Sequence, residues 1–275
     1  MFSTLNRIAL CRARQMVIVG LTVGFLSQVS AEEMAQEPRR WSVSWGWNWE
    51  AYSKSDIHFS GADHDFTLKG VRAKDKQHDV SVSNIVNKWL NPANMTLPQT
   101  NLRVAYQWDS DTAIAINLDH MKYVVSDDQT VAASGYYGST TYAPGSTQYL
   151  DPSFMHYEHT DGLNIVSLEY EKQYELSQWD HARAFWLVGA GVVVPKSNVT
   201  MTMIGRTRND NFHLAGYALN VGGGVEKDFA ERFFIRSTAK VGHVNLPNVK
   251  TSSGSDKASQ HFQFAEVAFT LGVRF

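Results

Sequence analysis

The chain of 275 residues contains a single cysteine, Cys11. It precedes the apolar run from Met16 to Leu26, whereas a lipid-modified cysteine would follow such a run. A mature chain without it has no disulfide, no thiol nucleophile and no cysteine-bound metal. Long hydrophobic runs are missing too. Met16–Leu26 is about 11 residues, short of the ~20 that a spanning helix needs, and nothing later in the chain approaches a membrane helix. Charge of one sign is not in excess: 25 Lys and Arg stand against 27 Asp and Glu, a formal net charge of −2. With no basic run, no nucleic-acid partner is expected.

What is present begins with Arg7, Arg12 and Arg14 ahead of the apolar run and the small residues Val29-Ser30-Ala31 after it. This reads as a secretory signal peptide over 1–31, leaving 32–275 to fold. Lacking membrane helices, such a chain enters a membrane only as closed strands.

Eight segments alternate with period two. The last sets Ala265, Val267, Phe269, Leu271, Val273 and Phe275 against Glu266, Ala268, Thr270, Gly272 and Arg274. The first sets Trp41, Val43, Trp45, Trp47 and Trp49 against Ser42, Ser44, Gly46, Asn48 and Glu50. Six more begin near Leu102, Ile114, Val166, Ala184, Tyr217 and Phe233. Short links fall near residues 110, 178 and 230, and long ones over about 55–97, 126–160, 196–211 and 247–260. Apolar on one face, polar on the other, with short and long links in turn, is the pattern of an all-β, eight-stranded antiparallel transmembrane β-barrel with short periplasmic turns and long extracellular loops. A soluble up-and-down barrel would put the apolar face inside. Trp41, Trp45, Trp47, Trp49, Trp108 and Trp186 suit an interfacial girdle instead.

On these segments and the terminal Phe275, the chain resembles the small eight-stranded outer-membrane barrels of the OmpA/OmpX-like class. The resemblance implies an outer-membrane location, a monomer in contact with outer-membrane lipids, and recognition of Phe275 by the barrel-assembly machinery.

With the apolar faces toward lipid, the lumen holds Glu50, Glu169, Glu171, Glu226 and Glu266 with Arg103, Arg183, Arg236, Lys240 and Arg274. Opposite charges in matching number fill a barrel this narrow, which argues against a diffusion pore.

Three polar clusters fall at the extracellular end: Asp56 and His58 near Asp63-His64-Asp65, then Asp119 and His120 beside Lys122, then Glu158, His159 and Asp161. Three readings stand. They are solvated or loop-tying residues; they form an acid–base site, a histidine oriented by an acid; or His58, His120, His159 and Asp56 supply metal ligands. Ser55 is available as a nucleophile, though no sequence context selects it. The outer leaflet they face is mainly lipopolysaccharide, and lipid A-modifying barrels share this architecture, which is analogy only. The expectation is a polar rim that binds or modifies lipid A, with Asp56, His58, Asp119, His120, His159 and Asp161 as its residues. The alternative is a non-catalytic surface barrel for envelope integrity or adhesion. Lys122 and Arg72 could meet lipid phosphates. Phe66-Thr67-Leu68 is expected to form a hairpin with Ile57-His58-Phe59. Ile85, Val86, Trp89 and Leu90 have helical spacing, and the tyrosines of 133–150 suggest a recognition loop.

Overall fold

The computed structural model describes residues 39–76 and 99–275. The expected signal segment 1–31 and the helical spacing at 85–90 lie outside the described residues. In chain order the strands are β1 (Trp41–Tyr52), β2 (Ser55–Ser60), β3 (His64–Val71), β4 (Ala73–Lys74), β5 (Thr100–Gln107), β6 (Thr112–Val125), β7 (Gln129–Tyr137), β8 (Thr140–Thr141), β9 (Thr147–Leu150), β10 (His156–Glu175), β11 (Ala182–Pro195), β12 (Asn198–Met201), β13 (Arg206–Asn209), β14 (Gly216–Asp228), β15 (Phe233–Lys250) and β16 (Lys257–Arg274).

Eight of them close a ring in the order β1-β5-β6-β10-β11-β14-β15-β16, with β16 pairing back onto β1, every pair antiparallel. The register shows how it closes. From Ser42 the partners run through Ala105, Ala115, Glu169, Gly189, Asn220, Gly242 and Phe264 back to β1 at Tyr52. One circuit therefore climbs ten residues along β1, from position 42 to 52. With strands ~4.8 Å apart and a rise of ~3.3 Å per residue, that stagger tilts them by about 40° to the axis.

The three expected tight links are present. At the first, Asp111 N–H donates to Asp109 Oδ1 (3.0 Å), an Asx turn that closes the link between β5 and β6. The start of β1 meets the end of β16 here, Trp41 and Phe275 exchanging backbone hydrogen bonds of 3.1 and 2.9 Å. Trp41, Trp108, Trp179, Phe229 and Phe233 are exposed at this end, and between here and Leu118, Val166, Val192, Leu219, Val241 and Ala265 the outward side chains are predominantly apolar. Beyond that level the outward positions turn polar, with His120, Asn164, His243 and Gln263.

The strands do not stop there. Much of the described part of the expected loop 55–97, and of the loops 126–160 and 247–260, is sheet. Along β16, Lys257, His261 and Gln263 point outward while Ala258, Phe262 and Phe264 are buried within; lower down the sides exchange, with Val267, Phe269 and Leu271 outward and Glu266 and Thr270 within. One strand thus carries two opposite amphipathic patterns, because its upper part is surrounded by water and its lower part by lipid. A reading that requires apolar residues outside ends each strand at the lipid boundary. The hairpin of Ile57-His58-Phe59 with Phe66-Thr67-Leu68 forms as expected, Ile57 opposite Leu68 and Phe59 opposite Phe66. It extends the sheet from β16 through β2 and β3 to β7. Inside lies one apolar core in which Ile57, Phe59, Phe66, Tyr123, Tyr157 and Phe262 are fully buried.

Candidate functional site

The interior has two storeys of opposite polarity. In the lower one, cross-strand register places three of the cations opposite an acid: Lys240 faces Glu266, and Arg236 and Arg183 both face Glu226. Lys240 Nζ lies 2.9 Å from Asp119, 3.2 Å from Glu169 and 3.5 Å from Glu266. Arg103 bridges Glu169 at 3.2 Å and Glu171 at 2.9 Å, and Arg236 pairs with Glu171 and, at 3.1 Å, with Glu226. Arg183 and Arg274 close the periplasmic end on Glu226 and Asp228. Nine of the ten expected lumen charges lie in this network; the tenth, Glu50, is buried beside it, and its carboxylate oxygens have no hydrogen-bond partner among the described residues.

Aromatic rings fill what the charges leave. Phe264 lies against Gly242 and Phe234 against Gly272, where an added Cβ would sit 2.4 and 2.0 Å from the ring carbons. Only glycine admits a ring at those two places. The Arg236 guanidinium stacks 3.5 Å from the Phe185 centroid. The lumen is occupied by side chains rather than open as a channel.

The six candidate rim residues divide among different environments. Asp119 is not at the rim: it is fully buried in the lumen, accepting from Lys240 and from Asn101 Nδ2 at 2.5 Å. Its place in the alternation beside Asn117 pointed there, while its nearness to His120 in sequence suggested a pair. Adjacent residues of a strand point to opposite faces, so His120 is on the outward side of the wall, where it is covered and only 3 % exposed. Its Nδ1 lies 2.7 Å from Asn164 Oδ1, and burial lowers its pKa.

His159 is inside the upper storey, with no exposed surface, against the rings of Tyr123 and Tyr157 at 5.8 and 5.1 Å. Its Nδ1 is 2.8 Å from Ser197 Oγ and its Nε2 has no hydrogen-bond partner. Burial pushes its pKa down to about 3, so it is neutral at physiological pH. Asp161 pairs with Lys196 at 2.9 Å. His58 pairs with Asp65 at 3.0 Å on the surface, and Asp56 Oδ1 accepts the Gly70 N–H at 2.8 Å.

Among the described residues, no three His, Cys, Asp or Glu side chains gather as metal ligands. Ser55 Oγ contacts Tyr123 Oη at 3.1 Å and Gln260 at 3.4 Å, neither of which would activate it as a nucleophile. Lys122 does not reach out to lipid; it is 2 % exposed, and burial lowers its pKa to about 8.

For two clusters the sequence showed the acids Asp63 and Glu158 but not their distant partners. Arg206 joins Asp63 of the β2–β3 turn and Asp256 of the β15–β16 loop, both at 3.0 Å. Glu158 accepts from Asn198 at 2.9 Å and lies 3.3 Å from His156; burial would raise its pKa, but these hydrogen bonds bring it down to about 2. Asn198 and Arg206 stand 40 or more positions from their partners, a separation that leaves no mark in local spacing.

A closed antiparallel ring of eight strands, apolar and aromatic outside and charge-paired within, is an integral β-barrel of the outer-membrane type. That class places short turns in the periplasm and the strand extensions outside the cell. Solved structures of similar architecture are Neisserial surface protein A (NspA; TM-score 0.38, 10% identity, 86% of this chain and 97% of that one), Ail of Yersinia pestis (0.34, 12%, 86% and 98%) and OprG from Pseudomonas aeruginosa (0.39, 7%, 86% and 96%). No protein-family model and no curated sequence matches the chain. The membrane assignment stands on the lipid-facing belt itself.

Proposed function

We propose that the protein binds outer-leaflet lipid A with the outside of its wall and catalyses no reaction on it. The observation that carries this reading is the division of the six rim candidates between lumen, apolar core and outer surface. No histidine–acid pair among them opens onto a space that a substrate could enter. With the interior filled at both levels, the outer surface is what remains for function. Where it leaves the lipid belt it presents His243, Asn245, His261 and Gln263, groups that suit a sugar-phosphate headgroup. Phe275, paired with Trp41 at the periplasmic end, is the residue through which the assembly machinery would take up the chain.

Lipid A from cells with and without the protein should give the same mass profile, while the purified barrel retains lipid A. A mass change that disappears in His120→Ala would replace binding by modification.

A second reading, adhesion, is favoured by the β7–β9 sheet, which exposes Tyr136 and Tyr149 in the manner of an adaptable recognition surface. Loss of cell attachment in the Tyr136→Ala, Tyr149→Ala double variant, with lipid A retention unchanged, would favour it.

A further inference from the structure

Lipid binding of this kind needs a place, and the outer wall is not uniformly convex. Between β14 and β1, close to the extracellular limit of the belt, a groove of about 670 Å³ runs over Leu219, Val221, Val241, Ala265 and Ala51. Its cause is local. The outward residues on β1 and β16 are large just below it (Trp49, Val267, Phe269) and shrink to Ala51 and Ala265 in register with one another. The upper end is polar, with Ser53, His243 and Gln263 on the lining. One position higher on the outward face stand His261 and Asn245, directly paired across β15 and β16. The His243 and His261 rings are 6.0 Å apart, and exposed Lys54 follows Ser53. On the same side, the Asp56 carboxylate is already engaged by the Gly70 N–H.

We propose that this groove is a lipid A site: an acyl chain lies along Leu219, Val241 and Ala265, and the phosphorylated glucosamine meets His243, His261 and Lys54. The proposal rests on the lipid-binding reading above and names where that binding occurs. Three features support it. The groove is continuous with the face that already contacts lipid. It is apolar only as far as the belt extends. The groups capping it are hydrogen-bond donors and a cation, which complement a phosphate oxygen. At its height the leaflet is the outer one, whose lipid is lipopolysaccharide. A second groove, about 470 Å³ over Ile235, Ser237 and Leu271 with Trp179 and Lys227, opens at the periplasmic end and faces the inner leaflet. It serves as an internal control.

The test is lipid analysis of barrel extracted in mild detergent, with folding verified by the heat-modifiable gel shift. Ala265→Phe fills the groove from an outward position diagonal to Trp49, where the wall already carries an aromatic ring. Expected is retained lipid A in the wild type and in Ser237→Phe, and at least a tenfold loss in Ala265→Phe, about 1.4 kcal/mol of affinity. The His243→Ala, His261→Ala pair leaves the apolar wall intact and should lose several-fold. Equal retention in wild type, Ala265→Phe and the double histidine variant overturns the site while leaving lipid binding in place. Absence of lipid A from the wild type overturns the lipid-binding reading and the site with it. Groove-dependent retention of a glycerophospholipid instead of lipid A overturns the assignment of the occupant.

Discussion

His159 should make the extracellular half sensitive to acid, and the size of the effect follows from its surroundings. It is fully buried between Tyr123 and Tyr157, one ring nitrogen on Ser197 and the other unpartnered, and its pKa in the fold is held near 3 by burial. In the unfolded chain it titrates near about 6.5. Between those values the unfolded state binds the extra proton, so stability is complete above about pH 6.5 and falls as the pH drops toward 3. At ~1.36 kcal/mol per pH unit, this one group costs about 2 kcal/mol between pH 6.5 and pH 5. His156 works the other way, its pKa raised by the hydrogen bond with Glu158, but it is partly exposed and that contribution is screened. Glu158 itself, near 2 in the fold, loses its contribution only below about pH 5. The useful quantity is therefore the difference from His159→Phe, which fits the aromatic cluster and cannot titrate. Urea unfolding of lipid-reconstituted protein, followed by tryptophan fluorescence at pH 7 and pH 5, should show the wild type losing about 2 kcal/mol more than the variant. Freeing the Ser197 hydroxyl lowers the variant equally at both pH values. Identical losses in the two proteins would refute the buried neutral histidine.

Lys240→Met should cost about 3–5 kcal/mol by stranding Asp119, Glu169 and Glu266 without their cation, whereas Lys240→Arg should recover much of it; equal urea midpoints for Met and wild type would show that the lumen network is not what holds the barrel. Phe66→Ala should remove about 3–5 kcal/mol from the extracellular core, raising proteolysis of β2–β3 while the heat-modifiable shift of the membrane part persists. Arg206→Ala should loosen the ties to Asp63 and Asp256 across the extracellular tips, read as faster hydrogen exchange in residues 61–64 and 251–256, with little change in global stability because the pairs are exposed and screened.

The alternation carried the ring, its strand number, the side facing lipid and the inward placing of all ten lumen charges, nine of which pair, because each of these depends only on period two and on an apolar solvent outside. It failed where the solvent changes. Phe59, Phe66 and Phe262 belong to the same geometry with the opposite face buried, so the long links read as loops although β2, β3, β7 and the upper ends of β10, β15 and β16 are strands. The site suffered from the same cause. Asp119, His120 and His159 were grouped by closeness to the rim, yet one step along a strand crosses the wall and the irregular pairing between His159 and Leu163 shifts the register of β10. Asp119 therefore went to the lumen, His120 outside and His159 into the core. The groove depends on Ala51 and Ala265 being small in register, which no local pattern within either strand records.

The filled interior is the premise on which a surface function rests, and conductance tests it most directly. Reconstituted into planar bilayers and verified as folded, the wild-type barrel should give no stable current steps, since the charge pairs around Lys240 and Arg236 and the apolar core above them leave no continuous water path. Reproducible steps that persist in the wild type and scale with salt concentration would contradict the account.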